Sequence, residues 1–325
     1  MKLSLIIPCY NEEGNVRAFY DAAVAAFAPE GMSYELIFVD DGSRDGTMKE
    51  LEKLYALDPA RVRVISFSRN FGKESAIYAG LSAARGALAA LIDADLQQRP
   101  EVVCQMLHIL DEDPDCDCVV AYQDARREGR VMTALKSAFY RVIDRLSDVP
   151  FHENASDFRC FRRPVIDAIV SMGEYQRFSK GIFAWVGFHT TYIPYTVQPR
   201  LSGESKWTLG KLFRYAFEGI LSFSTAPLRL VTALGCVSAL AAFVYLIVVI
   251  VQKLTTGIDV AGYATIVVLL LFLGGLQLMG LGIIGEYIGR VYMESKKRPI
   301  YLTRRTLGLE AQTNEQTDST GEKAV

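Results

Sequence analysis

Four short polar segments carry the side chains best suited to chemistry. They read Pro8-Cys9-Tyr10-Asn11-Glu12-Glu13, Asp40-Asp41-Gly42-Ser43-Arg44-Asp45-Gly46, Ser68-Arg69-Asn70-Phe71-Gly72-Lys73 and Asp93-Ala94-Asp95-Leu96-Gln97. Each follows a short apolar run, so each sits where a strand would leave a sheet. In open α/β sheets, ligands bind beyond the carboxyl ends of the strands. The carboxylates of Glu12, Asp40, Asp41, Asp93 and Asp95 would then converge on one rim. Such a cluster is costly unless a cation or hydrogen-bond donors offset it. A hard divalent ion with oxygen ligands, bridging to phosphate, would do so.

Position separates signal from coincidence here. With 18 aspartates in 325 residues, chance alone gives about one Asp-x-Asp. Asp93 and Asp95 end the run Leu88-Ala89-Ala90-Leu91-Ile92, whereas Asp111, Asp113, Asp115 and Asp117 flank Pro114 and read as a solvated turn. No GxxxxGK[ST] loop occurs, and no GxGxxG follows a strand. The six cysteines form no CxxC pair and read as reduced thiols, and the three histidines lack ligand spacing, so zinc has little support.

The elements that must position these segments alternate. Strand-like runs fall at Leu3–Ile7, Glu35–Val39, Val62–Ser66, Leu88–Ile92 and Cys118–Ala121, with helical stretches near 12–27, 47–57, 74–85 and 100–110. This alternation predicts an α/β domain with a mostly parallel sheet.

The formal net charge of −2 hides a division. Residues 1–200 carry −5, residues 201–309 carry +6 and residues 310–325 carry −3. Nothing broadly basic points to nucleic acid. The basic region is also the most apolar. Leu230–Val251 and Tyr263–Gly285 contain no Asp, Glu, Lys or Arg, and each reaches roughly 33–35 Å as a helix, enough for a ~30 Å hydrocarbon core. The connecting segment holds only Lys253 and Asp259, and the other basic residues lie at Lys206, Lys211, Arg214 and Arg229 before the runs and at Arg290, Lys296, Lys297, Arg298, Arg304 and Arg305 after them. By the positive-inside rule, both the N-terminal domain and the C-terminus would be cytoplasmic. Residues 206–223 have helical apolar spacing, which fits a helix in the headgroup layer or one facing a soluble core; the adjacent run favours the first. Residues 286–298 read as a second interfacial piece. The expected division is therefore 1–204 as catalytic domain, 205–228 as juxtamembrane helix, 229–286 as two transmembrane helices, and 287–325 as basic segment and disordered tail. Small residues in the second run (Gly274, Gly275, Gly280, Gly282, Gly285) allow close packing between the two spans or within a homo-oligomer.

The segments above, together with Val39-Asp40-Asp41-Gly42-Ser43, Ser156-Asp157-Phe158-Arg159, Arg200-Leu201-Ser202-Gly203-Glu204-Ser205-Lys206-Trp207 and Gly285-Glu286-Tyr287-Ile288-Gly289-Arg290, resemble the family 2 glycosyltransferases with the GT-A fold. The likeness spans about residues 3–302. It is greatest to membrane-anchored polyisoprenyl-phosphate glycosyltransferases such as bactoprenol glucosyltransferases and dolichol-phosphate mannose synthases. The resemblance implies that Pro8, Tyr10, Glu12, Asp40, Lys73, Asp93 and Ala94 hold a nucleotide sugar, and that Asp95, supported by Gln97, binds Mg²⁺ or Mn²⁺. It implies that Asp157 lies beside the acceptor phosphate, so that Asp93, Asp95 and Asp157 form the catalytic set. Arg200, Ser205 and Lys206 would contact phosphates on the membrane side. Arg127 matches one of two arginines that related sequences carry after the fifth strand, but Asp124 stands at the other position. Arg126 and Arg127 are thus either phosphate ligands or solvated surface charges. No Gln-x-x-Arg-Trp motif occurs, which argues against a processive polysaccharide synthase.

The expected activity is inverting transfer of one hexose, glucose from UDP-glucose as first choice, to a polyprenyl phosphate such as undecaprenyl phosphate at the cytoplasmic face of the inner membrane. Other donors (GDP-mannose, UDP-GlcNAc or UDP-aminoarabinose type), a protein or diacylglycerol acceptor, and a non-enzymatic membrane scaffold are the competing readings.

Overall fold

The structure is a computed structural model that describes residues 1–123, 155–198, 226–255 and 262–309. Eight strands form one sheet in the order β7-β5-β6-β4-β1-β2-β3-β8. They are β1 (Leu3–Cys9), β2 (Tyr34–Asp40), β3 (Val62–Phe67), β4 (Leu88–Leu91), β5 (Cys118–Gln123), β6 (Ala155–Arg162), β7 (Thr190–Tyr195) and β8 (Thr303–Leu307). The helices are α1 (Val16–Phe27), α2 (Thr47–Leu57), α3 (Lys73–Ala83), α4 (Pro100–Glu112), α5 (Arg163–Ser171), α6 (Ser179–Trp185), α7 (Ala226–Thr255) and α8 (Tyr263–Ser295).

Alternation along the central strands divides the core in two. Leu3, Leu5 and Ile7 face a layer built with Phe19, Phe27, Leu51 and Leu107, from α1, α2 and α4. Ile6, Ile37 and Val39 face the other layer with Ile77, Ile166 and Ile182, from α3, α5 and α6. Both faces of β1 and β2 are buried, so these strands read as continuous apolar runs rather than as alternating ones. Phe19 and Phe38, fully buried, meet edge to face at 6.1 Å; burial of each such ring contributes about 2–3 kcal/mol.

The architecture is the expected Rossmann-like α/β domain of GT-A type, but the sheet is mixed. β1 pairs in parallel with β2 and β4, and β2 with β3. β6 runs antiparallel between β4 and β5, and β8 antiparallel beside β3. The sequence pattern puts residues 287–325 outside this domain, whereas β8 pairs with β3 at the edge of its sheet. The segment expected as a second interfacial piece continues α8 as far as Ser295.

Helices α7 and α8 have 30 and 33 residues and leave large apolar side chains such as Leu240, Phe272 and Leu278 exposed. Two spans were expected. Among the described residues, one stretch, Phe272–Ser295, is long and apolar enough to cross a membrane, and the apolar run of α7, Leu230–Tyr245, is shorter. Buried Gly280 lies against Val231, where the two helices approach each other.

Candidate active site

The rim is built from four strand exits laced to one another. Asn11, at φ +57°, donates its N–H to Ser43 Oγ at 3.0 Å and accepts from Arg44 N–H at 2.9 Å. Glu12 N–H donates to Thr47 Oγ1 at 2.8 Å, and Glu13 accepts from Gly46 N–H at 3.0 Å. The β1 and β2 exits thus form one unit. Asp40, 2% exposed, accepts from Ser43 N–H and from Ser66 Oγ. Its neighbour Asp41 accepts from the N–H groups of Phe71 and Gly72 at 2.6 and 2.9 Å. Burial pushes the Asp41 carboxyl up to about 6, against the pull of those two donors, and Asp40 adds to the rise. Gly42 has φ +66°, and a Cβ there would fall onto the Arg69 carbonyl, so only glycine lets the two loops touch. Gly72, at φ +99°, turns the chain into α3.

This places Lys73 as the first residue of α3. Its Nζ lies 2.6 Å from Asp93 Oδ1 and 3.3 Å from Asp157 Oδ2. Strand register explains the meeting. β4 and β6 pair from Leu88↔Arg162 to Leu91↔Arg159; two residues further on, Asp93 comes opposite Asp157. Burial would lower the Lys73 ammonium, but Asp93 and Asp157 outweigh it and hold it well above the ordinary lysine range. Burial would raise the Asp157 carboxyl, but Lys73, then Lys180 and Arg159, hold it below the usual carboxylate range. Asp157 Oδ1 is buried with no hydrogen-bond partner. Pro8, Ile77, Leu91, Ile92 and Gln98 close the pocket around Lys73, Asp93 and Asp157.

Asp95 stands beside this cluster, half-buried, its Oδ1 accepting from Gln97 N–H at 3.1 Å. Leu96, between them, has φ +58°, a conformation a branched side chain seldom adopts. Gln97 reaches the chain after β7 through a 3.1 Å bond from Gln198 N–H to its carbonyl.

Of the residues singled out in sequence, Pro8, Lys73, Asp93 and Asp157 line one pocket, with Ala94, Asp95 and Gln97 following Asp93 along the β4 exit. Tyr10 and Glu12 follow β1. Asp40 lies at the same rim, buried beneath its own loop. Arg126, Arg127, Arg200, Ser205 and Lys206 lie outside the described residues. Asp41 reads in sequence as one more converging carboxylate, with no sign that it staples the Lys73 loop, and Glu74 gives no sign of a role at all. Burial raises Glu74, which accepts from Ser179 N–H at 2.8 Å and from its hydroxyl, joining α3 to α6. A carboxylate on a helix first turn is also placed by local propensity alone, so Glu74 carried no separate signal.

The family model "Glycosyl transferase family 2" matches residues 4–170, which contain all the described rim residues, and "GtrB C-terminal hairpin" matches residues 226–291, the two long helices. The chain belongs to glycosyl transferase family 2. Within it, the chain is 41% identical to an uncharacterized glycosyltransferase of Synechocystis sp., over 95% of this chain and 97% of the relative. It is 40% identical to the putative glycosyltransferase CsbB of Bacillus subtilis (93% and 91% covered). It is also 40% identical to a prophage bactoprenol glucosyl transferase homolog of Escherichia coli (94% and 99%). It is thus a bactoprenol-glucosyltransferase-like member, as its motifs implied, and a glycosyltransferase.

Proposed function

We propose that this chain transfers a single hexose, glucose from UDP-glucose as first choice, to a polyprenyl phosphate at the cytoplasmic face of the membrane, with inversion. The observation that carries the reading is the meeting of Lys73, Asp93 and Asp157 at the rim where the strand exits converge. A cation between two carboxylates, beside a third on Asp95, suits a reaction in which one phosphate group leaves and another attacks. The relative named as a bactoprenol glucosyl transferase homolog, matched through the hairpin as well as the sheet, supports the lipid acceptor.

Asp95 and Gln97 would hold Mg²⁺ or Mn²⁺. Among the described residues no group of three or more His, Cys, Asp or Glu side chains could cage a metal. A hard cation bound with a diphosphate needs only one or two carboxylates, and half-buried Asp95 fits that demand. When bound, the ion would neutralise charge on the departing diphosphate.

The remaining work falls to the side chains. Lys73 would give up part of its pairing to face the diphosphate while keeping Asp93 oriented towards ribose and sugar. Asp157, ionised at neutral pH, would orient the acceptor and take a residual proton. The acceptor phosphate, with a second pKa near 6, needs no strong base. Lys73, Lys180 and Arg159 offset the repulsion between Asp157 and the incoming anion.

The return of the chain to the sheet supports two crossings. β8 shares a sheet with β3, so both lie on one side of any bilayer, and a chain that leaves and returns crosses an even number of times. With α8 as one crossing, α7 supplies the other.

The test is to supply membranes bearing the full chain with labelled UDP-glucose. A chloroform-soluble, acid-labile product is expected. Label in protein, in diacylglycerol lipid or in no product at all would overturn the reading. A thermal-shift screen of nucleotide sugars with Mn²⁺ would identify the donor, because a ligand of the folded state raises its melting point.

A further inference from the structure

We propose that residues 300–302, and Tyr301 above all, form a strap that positions Lys73, so that the chain beyond the helical hairpin is a working part of the catalytic site. The proposal rests on the reading that Lys73, Asp93 and Asp157 are that site.

The strap begins a few residues after α8 ends and runs directly under the Lys73 loop. Leu302 C=O accepts from Ser68 N–H at 2.9 Å, and Ile300 C=O accepts from Ser75 Oγ at 3.4 Å. These two bonds bracket residues 68–75. Between them the Tyr301 ring stacks on Phe67 at 4.8 Å and 21°, and meets Tyr78 of α3 edge-on at 6.4 Å. Phe67 in turn meets Phe71 at 5.8 Å and 88°. The loop is therefore held from two sides. Asp41 grips the N–H groups of Phe71 and Gly72 from the rim, and the strap supports Phe67, Ser68 and Ser75 from beneath.

Neither support alone fixes the loop. Gly72, at φ +99°, is a pivot with open space around its Cα, where a Cβ would meet nothing within 4 Å. Asp41 alone grips only Phe71 and Gly72; without the strap Ser68 N–H would lose Leu302 C=O, and Ser75 would keep only bonds within its own turn, to Gly72 and Phe71. Beyond the strap, β8 pairs Arg305 with Ser66, whose hydroxyl donates to Asp40, and Arg305 itself ion-pairs with Glu52. The same short segment thus braces the strand that bonds Asp40 through Ser66 and leads on to Lys73.

The test compares the full-length wild type with Tyr301→Ala and Tyr301→Phe in detergent or nanodiscs. Hydrogen exchange of residues 68–76 and labelling of the Lys73 amine by acetic anhydride are read alongside sugar transfer. Loss of aromatic pairs of this kind is worth about a factor of ten in local opening. Tyr301→Ala should speed exchange at 68–76 and labelling of Lys73 by about that factor, leaving β1, β2 and β4 unchanged. It should lower kcat with KM for the donor little altered, and Tyr301→Phe should restore all three. If Tyr301→Ala does not fold, Tyr301→Leu, which keeps an apolar side chain but removes the ring that stacks on Phe67, carries the same comparison. Faster exchange confined to 296–309, with 68–76 and Lys73 labelling at wild-type rates, would overturn the positioning role. A Lys73→Met protein that keeps wild-type transfer would instead overturn the catalytic reading, and with it the functional half of the proposal.

Discussion

The rim holds two kinds of carboxylate, and they differ in what they bond. Asp40 and Asp41 are 2% and 3% exposed and accept hydrogen bonds on both oxygens from within the chain. Asp93 and Asp157 share a lysine with a partly exposed side chain, and Asp157 keeps one buried oxygen without a partner. The first pair is consumed by folding, since its donors are backbone N–H groups and a buried hydroxyl that would otherwise be unsatisfied. The second pair is held by one charged lysine that bonds both carboxylates, a charge that an incoming phosphate would share under the proposed reaction. Acidic residues on one rim thus divide into those that build the loops and those that the loops present.

The sharpest way to break this division is at Asp95. Asp95→Asn is expected to lower transfer by about three orders of magnitude, with the thermal midpoint within about 4 °C of wild type. Near-normal turnover would overturn the metal-holding role proposed for Asp95. Next comes Lys73→Met, for which kcat should fall about 100-fold. Without Lys73 the Asp157 carboxyl moves up, so the acid limb of the pH–rate profile should shift to higher pH; a limb that stays in place would show that Asp157 does not control it.

The loop-building group should fail in stability instead. Gly42→Ala is expected to cost about 3 kcal/mol, because it combines a left-handed backbone with a clash against the Arg69 carbonyl; urea melts would measure it. Asp41 adds a pH signature. Its folded pKa of about 6 lies above the ordinary carboxyl value, so the native state binds more protons than the unfolded state between about pH 4 and 6. This contribution to stability is complete below that window and is lost as pH rises through it. Asp41→Asn should therefore flatten the stability profile there by about 1–3 kcal/mol, and an unchanged slope would place Asp41 with the solvated carboxylates. The smallest effect is expected from Ser43→Ala, about 1 kcal/mol, with transfer within about twofold of wild type.

Much of this was legible in the sequence because the parallel strands bury both faces. Their apolar runs, and the polar residues where they stop, mark β1 to β5 and the rim in one reading. What escaped it followed different rules. β6 mixes Asp157, Arg159 and Arg162 with buried Phe158, Cys160 and Phe161 on both of its faces, and its arginines are spent on backbone carbonyls. β7 contains Pro194, a residue that sheets admit at their edges, and β7 is an edge. β8 is a short basic segment, Thr303-Arg304-Arg305-Thr306-Leu307, which in sequence is indistinguishable from a positive membrane flank. The meeting of Lys73 with Asp157 depends on the β4–β6 register, and no local pattern reports a register between distant strands.

β8 also sets an order of events during synthesis. β3 is made early and its outer edge has no strand beside it until residues 303–307 leave the ribosome, after both long helices. An unpaired edge is a template for pairing with other chains, so a molecule whose two long helices have failed to bring residues 303–307 back to the domain would hold that edge open. Closure of the sheet would then report that the chain has returned from the two helices, and exposure of β3 would mark the other copies for aggregation or removal.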